Sequence, residues 1–500
     1  MNIKWIKERL DCDENQRKVI AYMTIAFSFI VFIPLFIIAR YAVKSADDYG
    51  NFRDAEVVWT QTRSLWQLIC YSVEKTQHIY KSWQGTYFNE FIQGILGGLC
   101  GDRFYCVGAY LTLVMFLGGQ FYLFYIILVK MLNADKNSYI TVTLSCIMME
   151  ALLMPSPVEA FYWFCGSLMY LLPWGISVVL IGVCVQVFLS PKNSKAKWIR
   201  TEILTLLLMI AAAGSNYISL ISTLVILLLL SGRSWISKNN SKIFLTVNTI
   251  LYILLSAANI LAPGNQMRVL SAEAGGSVGY SAVESIIRSL YEAMNYIVSS
   301  FVLPYIIVGI LLIPIFVKIA GNTNFKFQYP LLISILSFGV YAAQFTPNLY
   351  ALGFIGEYRV LNIYRTTMTI LVYWLELYWL GYLVRRGNIK QYAQIKSSII
   401  LPFWAIGICM FIYSLTLWGG STVTTWSAVQ SLRSGEAAQY KMEYDARLEI
   451  LEDESIKEVY FEDYTYKPYL LYREDLSKNP ENWVNKSVAD IYDKEIVALK

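Results

Sequence analysis

The chain has 500 residues, 56% of them hydrophobic and only 15% charged, where soluble domains carry about 25% charged residues. With a mean hydropathy of +0.46, that balance excludes an ordinary soluble enzyme. The formal net charge of +5 comes from Lys and Arg in short loops, a pattern of membrane topology rather than nucleic-acid binding. A single histidine also argues against a His-based metal centre or a Ser-His-Asp triad.

The apolar residues gather in runs of about 20, enough to cross a hydrocarbon core about 30 Å thick at 1.5 Å per residue. Lipid satisfies no backbone polar group, so the spans should be helices. Residues 1–18 carry Lys4, Lys7, Arg9, Arg17 and Lys18, which predicts a cytoplasmic N-terminus. The first span, 19–40, has no small-residue cleavage site and reads as a retained signal anchor. A long outside loop over 41–103 follows. In it Val57, Val58, Trp59, Leu65, Trp66, Leu68, Ile69 and Tyr71 recur at helical spacing, as in one or two amphipathic helices lying in the interface. Gly94, Gly97, Gly98 and Gly101 form no phosphate loop, because no Lys-Ser/Thr follows them. Cys100 and Cys106 are either an exported disulfide or two inert thiols.

Further spans are expected at 104–132, 139–154 and, after the break at Pro155 and Pro157, on to residue 189. Two short ones, 202–213 and 217–230, suggest a hairpin buried in the bundle. Then come 243–261, 299–317, 329–343, 366–384 and 398–418. Each inside loop holds at least two Lys or Arg, and the outside loops balance acids with bases. Over 419–500 charge rises and apolar runs shorten. Residues 459–461 and 469–472 look like strands and 437–451 like a helix. The predicted fold is an all-α polytopic membrane protein of about eleven transmembrane helices, with an amphipathic first outside loop and a small C-terminal extracytoplasmic α/β appendage. Its parts are 1–18, the membrane domain 19–418 and the appendage 419–500.

Asp47 and Asp48 lie just past the first span. Carboxylates near lipid are either well solvated at a turn or placed for work, and a partly dry one gains the raised pKa of a general base. Arg268 and Arg359 stand near span mouths; they grip phosphate or snorkel to headgroups as anchors. Glu159 precedes Phe161-Tyr162-Trp163, a carboxylate–aromatic mixture that suits a saccharide or an interfacial belt. Glu357 is a similar outside acid.

In order and topology, these pieces resemble the GT-C superfamily of integral-membrane glycosyltransferases, and within it a bacterial branch related to O-antigen glucosyltransferase-like proteins. The matching pieces are Asp47-Asp48-Tyr49, Trp83-Gln84-Gly85, Glu159-Ala-Phe-Tyr-Trp-Phe-Cys-Gly166 with Tyr170 and Pro173, and Ala262-Pro263-Gly264-Asn265 with Arg268. Trp483-Val484-Asn485 and Ala489-Asp490-Ile491-Tyr492 match in the tail. The resemblance implies a transferase moving a sugar from a polyprenyl-phosphate donor to a cell-envelope glycan, lipid or protein, with inversion. It assigns Asp47 or Asp48 as general base and Arg268 and Arg359 to the donor phosphate; the residues themselves offer Glu159, Trp163, Glu357 and Trp83 as candidate sugar or acceptor contacts. Thr86 departs from it, since relatives tend to carry a basic residue in that stretch. Some superfamily members need a divalent metal, but no residue pattern here demands one. Two other classes remain open: a lipid-glycan flippase, and an envelope polymerase using an oligosaccharide pyrophosphate donor.

Overall fold

The computed structural model describes residues 3–190, 195–276, 278–387 and 397–500. In chain order the helices are α1 (Ile3–Ile38), α2 (Asp48–Thr62), α3 (Leu65–Ser82), α4 (Tyr87–Cys100), α5 (Cys106–Met131, π-widened from Tyr125), α6 (Lys136–Leu152) and α7 (Phe164–Leu189). Then follow α8 (Lys195–Ala213), α9 (Tyr217–Ile236), α10 (Lys242–Ile260), α11 (Pro263–Ala274), α12 (Ala282–Ser300), α13 (Leu303–Asn322), α14 (Pro330–Ala343), α15 (Thr346–Leu352) and α16 (Tyr358–Arg385). The last part holds α17 (Ser397–Trp418), α18 (Thr424–Ser434), α19 (Glu436–Glu452), β1 (Glu458–Phe461), α20 (Trp483–Ile491) and β2 (Ile496–Leu499).

Among the described residues, eight stretches are long and apolar enough to cross a membrane: Glu14–Tyr41, Cys106–Met131, Phe164–Leu189, Tyr217–Ile236, Lys242–Ile260, Leu303–Asn322, Pro330–Leu352 and Tyr358–Arg385. The protein is therefore an all-α, multi-pass membrane protein with almost no sheet. The segments expected at 139–154, 202–213 and 398–418 are also helical, as α6, α8 and α17, but fall outside that set. The expected short hairpin is not short. Both helices extend through polar ends to 19 and 20 residues, and α8 turns Ile203, Leu204, Leu207 and Ile210 outward rather than into the bundle.

The first loop folds into three helices packed on one another. The glycines of α4 make this possible. A Cβ on Gly97 would lie 2.6 Å from the Phe52 ring, and one on Gly98 would lie 2.8 Å from the Ala55 carbonyl. The stripe is a small-residue contact face. Cys100 and Cys106 are free thiols.

The tail is packed onto the bundle. Val423, Ala428, Tyr440, Tyr444, Leu470 and Leu471 join the main core, while Leu451, Val459, Phe461, Val488 and Val497 form a small second cluster. β1 pairs in parallel with β2. The strand expected at 469–472 is instead a turn. Both Leu471 and Tyr472 donate their N–H to the Pro468 carbonyl, so Leu470 and Leu471 both enter the core, which alternating strand faces would forbid.

Candidate functional site

The site is built where two breaks in the helices meet. At the first, α1 ends and the chain reverses at Ala46, a non-glycine residue at φ +50°, a left-handed conformation costing roughly 1–2 kcal/mol. Asp47 is the N-cap residue of α2. At the second, Pro155 and Pro157 end α6, and Trp163 is extended before α7 starts. Trp163 donates its indole N–H to the Ser45 carbonyl at 3.0 Å, tying one break to the other.

The two aspartates take different directions. Asp48 is completely buried. Its Oδ1 accepts the Cys165 N–H at 3.0 Å, and its Oδ2 accepts the Tyr105 hydroxyl at 2.5 Å and the Ser45 N–H at 3.1 Å. The Tyr105 hydroxyl in turn accepts the Phe164 N–H at 2.8 Å. Asp48 and Tyr105 thus satisfy the orphan N–H groups at the start of α7. Burial pushes the Asp48 carboxyl up to about 6, against the pull of these hydrogen bonds. Asp47 is half-buried and makes no side-chain cap bond to α2. Burial raises its pKa, while the guanidinium groups of Arg359 and Arg473, which it faces, hold the rise back.

Two arginines face this carboxylate, and a third meets one of them at Tyr170. Arg359, in the first turn of α16, lies 5.9 Å from the Trp163 ring centre and 5.6 Å from that of Tyr170. Arg473, from the tail, lies 5.3 Å from the same Trp163 ring and pairs with Glu159 at 3.0 Å. Arg268, on α11, reaches the Tyr170 hydroxyl together with Arg359 and donates to Gln84 Oε1. Gln84 donates to Glu90 at 2.6 Å, Glu90 lies 3.9 Å from Lys75, and Lys75 donates to the Asn51 carbonyl at 2.9 Å. Burial lowers the Lys75 pKa. Guanidinium groups around one carboxylate suit a ligand that brings its own negative charge.

Two of the sequence stretches singled out above touch directly. Gly85 donates its N–H to Asn265 Oδ1 at 2.9 Å, and Tyr217 donates to the same oxygen at 2.7 Å. A Cβ on Gly85 would lie 1.9 Å from the Asn259 carbonyl, and one on Gly264 would lie 2.5 Å from the Trp83 nitrogen. This close approach aims Arg268 at Gln84 and at the Trp83 ring, 6.0 Å away.

Of the residues expected from sequence, Asp47, Glu159, Trp163, Arg268 and Arg359 come together. Asp48 stands behind the site as a structural acceptor. Trp163 is only 4% exposed, a platform for two arginines rather than an open sugar-stacking surface. Trp83, 44% exposed, remains open to stacking. Glu357 is exposed at the N-cap of α16, near enough to act on Arg359. Sequence reasoning missed Arg473 and gave Tyr170 no role. The available signal for Arg473 was its place beside the buried Leu470-Leu471 pair. Among the described residues no group of three His, Cys, Asp or Glu side chains converges to hold a metal ion, and the groups facing Asp47 are cations, so no step is assigned to a metal. No family model matches the chain, and neither a curated protein nor a solved structure matches it.

Proposed function

We propose that the protein is a GT-C-type glycosyltransferase that moves a sugar from a polyprenyl-phosphate donor to a hydroxyl of a cell-envelope acceptor. The observation that carries this reading is one half-buried carboxylate, Asp47, facing Arg359 while Arg268 and Arg359 share Tyr170. Asp47 takes the proton of the acceptor hydroxyl as its oxygen attacks the anomeric carbon. The bond from that carbon to the phosphate oxygen breaks, and the electron pair leaves with polyprenyl phosphate. Arg268 and Arg359 stabilise the charge that develops there. Attack opposite the leaving phosphate inverts the anomeric centre. Trp83 supplies an open ring for the sugar face, and the exposed Glu357 lies near Arg359.

The same reading sets the protein in the plasma membrane with the N-terminus cytoplasmic and the site outside. Ser45, just past the first span, donates its hydroxyl to the Glu474 carbonyl at 3.0 Å, so the tail lies at the C-terminal end of α1. The N-terminus and the tail then occupy opposite sides, which needs an odd number of crossings. Eight is even; eleven, with α6, α8 and α17 included, is odd.

The test is transfer by the purified protein in lipid vesicles, offered either a polyprenyl-phosphate hexose or the corresponding nucleotide sugar. Product from the lipid donor alone supports the reading, whereas use of the nucleotide sugar alone rejects it.

A further inference from the structure

We propose that Arg473, delivered by the C-terminal segment, is a phosphate-binding residue of this site, and that Glu159 holds it until an anionic ligand takes it over. This rests on the reading of the ligand as a phosphate-bearing lipid.

The backbone on either side of Arg473 is pinned. Glu474 donates its N–H to Ser45 Oγ at 3.2 Å, and Ser45 Oγ donates to the Glu474 carbonyl; Ser45 is two residues from Asp47. Asp475 is gripped by both terminal nitrogens of Arg447, at 2.7 and 3.1 Å. The side chain of Arg473 is thereby presented on a fixed stem. It lies on Trp163 and faces Asp47.

Its pairing with Glu159 is incomplete. Only Oε1 meets the guanidinium, as an ion pair 3.0 Å from Nε, and neither Arg473 Nε nor Glu159 Oε2 has a hydrogen-bond partner. Arg473 is the more open member, at 30% exposure against 5% for Glu159. A guanidinium that makes one contact to a carboxylate can make two to a phosphate. The exchange adds a third cation to Arg268 and Arg359 without moving the backbone.

The test measures binding of a long-chain polyprenyl phosphate and of the neutral polyprenol of equal length to the full-length protein, by native mass spectrometry. Arg473→Gln should weaken phosphate binding roughly tenfold, as expected for one charge-assisted contact, leave polyprenol binding unchanged, and be partly rescued by Arg473→Lys. Glu159→Gln should tighten phosphate binding several-fold, because it releases Arg473; this variant keeps the idea testable should Arg473→Gln disturb folding. A purely structural pair predicts the opposite sign for Glu159→Gln, and weakened or unchanged binding there overturns the proposal. Loss of binding in Arg268→Gln with none in Arg473→Gln rejects the role of Arg473 while leaving the donor reading intact. Equal binding of both lipids by the wild type rejects the donor reading and the proposal with it.

Discussion

Asp48 uses its carboxylate on three fixed donors, and removing it would strand the Cys165 N–H in the core. Asp48→Ala should therefore cost about 3 kcal/mol or more, seen as a lower melting temperature in detergent. Its folded pKa of about 6 lies above the ordinary carboxylate value, so the folded state holds the proton longer than the unfolded one. Its contribution is then greatest in acid and declines as pH rises from about 4 through about 6. Asp48→Asn removes that titration, so the stability advantage of wild type over Asp48→Asn should shrink across this window; a constant gap would count against the assignment. Asp47 behaves differently. Burial raises its pKa and Arg359 opposes the rise. Arg359→Gln should therefore move the acid limb of the kcat/KM profile to higher pH, as well as weaken donor binding. Sequence alone marked the Asp47-Asp48 pair but ranked its members only by nearness to the span. What separates them is Tyr105 and the N-terminus of α7, more than fifty residues away.

At the scale of elements, the site depends on close backbone approach. Gly85 sits so near Asn259 and Ala262 that Gly85→Ala must push the Trp83–Gln84 turn away from the junction of α10 and α11. Arg268 then loses its bond to Gln84. Transfer should fall by roughly an order of magnitude or more, in line with small displacements of positioning residues, mainly through KM. A normal KM in this variant would show that the contact does not position Arg268. Much of this level was legible. The helical recurrence through Trp59, Trp66 and Leu68 belongs to α2 and α3, and Pro155 and Pro157 mark a true break. The glycines at 94–98 pack against Ser72, Phe52 and Leu68, a role that needs knowledge of what crosses them. The stretch 469–472 misled because two adjacent leucines and two tyrosines have strand composition, whereas Pro468 and tertiary burial set a turn.

At the scale of the molecule, the tail belongs to the site rather than beside it. Buried Lys44 pairs with Glu56 at 2.5 Å and Asp102 at 3.0 Å, and Tyr444 of the tail donates to the same Asp102. Asp102→Ala leaves Lys44 one partner short and frees Tyr444. Removing one member of a buried ion pair costs about 3–5 kcal/mol, so this variant should make α19 and α20 sensitive to limited proteolysis and reduce transfer together. Protease resistance equal to wild type would separate the tail from this anchor. Hydropathy made the membrane class plain, because 20-residue apolar runs have few other uses. It could not reveal that residue 473 meets residue 159, since the contact depends on a turn at Pro468 and on Ser45 gripping Glu474.

The measurement that bears most directly on Asp47 as the base is single-turnover transfer from a polyprenyl-phosphate sugar by Asp47→Asn, compared with wild type at matched donor occupancy. Loss of a general base predicts a rate lower by about 10²–10⁴, with donor binding and melting temperature close to wild type. A rate within a few-fold of wild type would contradict the account, because Asp48 is committed to three fixed donors, Glu159 is paired with Arg473, and Glu357, the other acid near Arg359, is exposed to solvent.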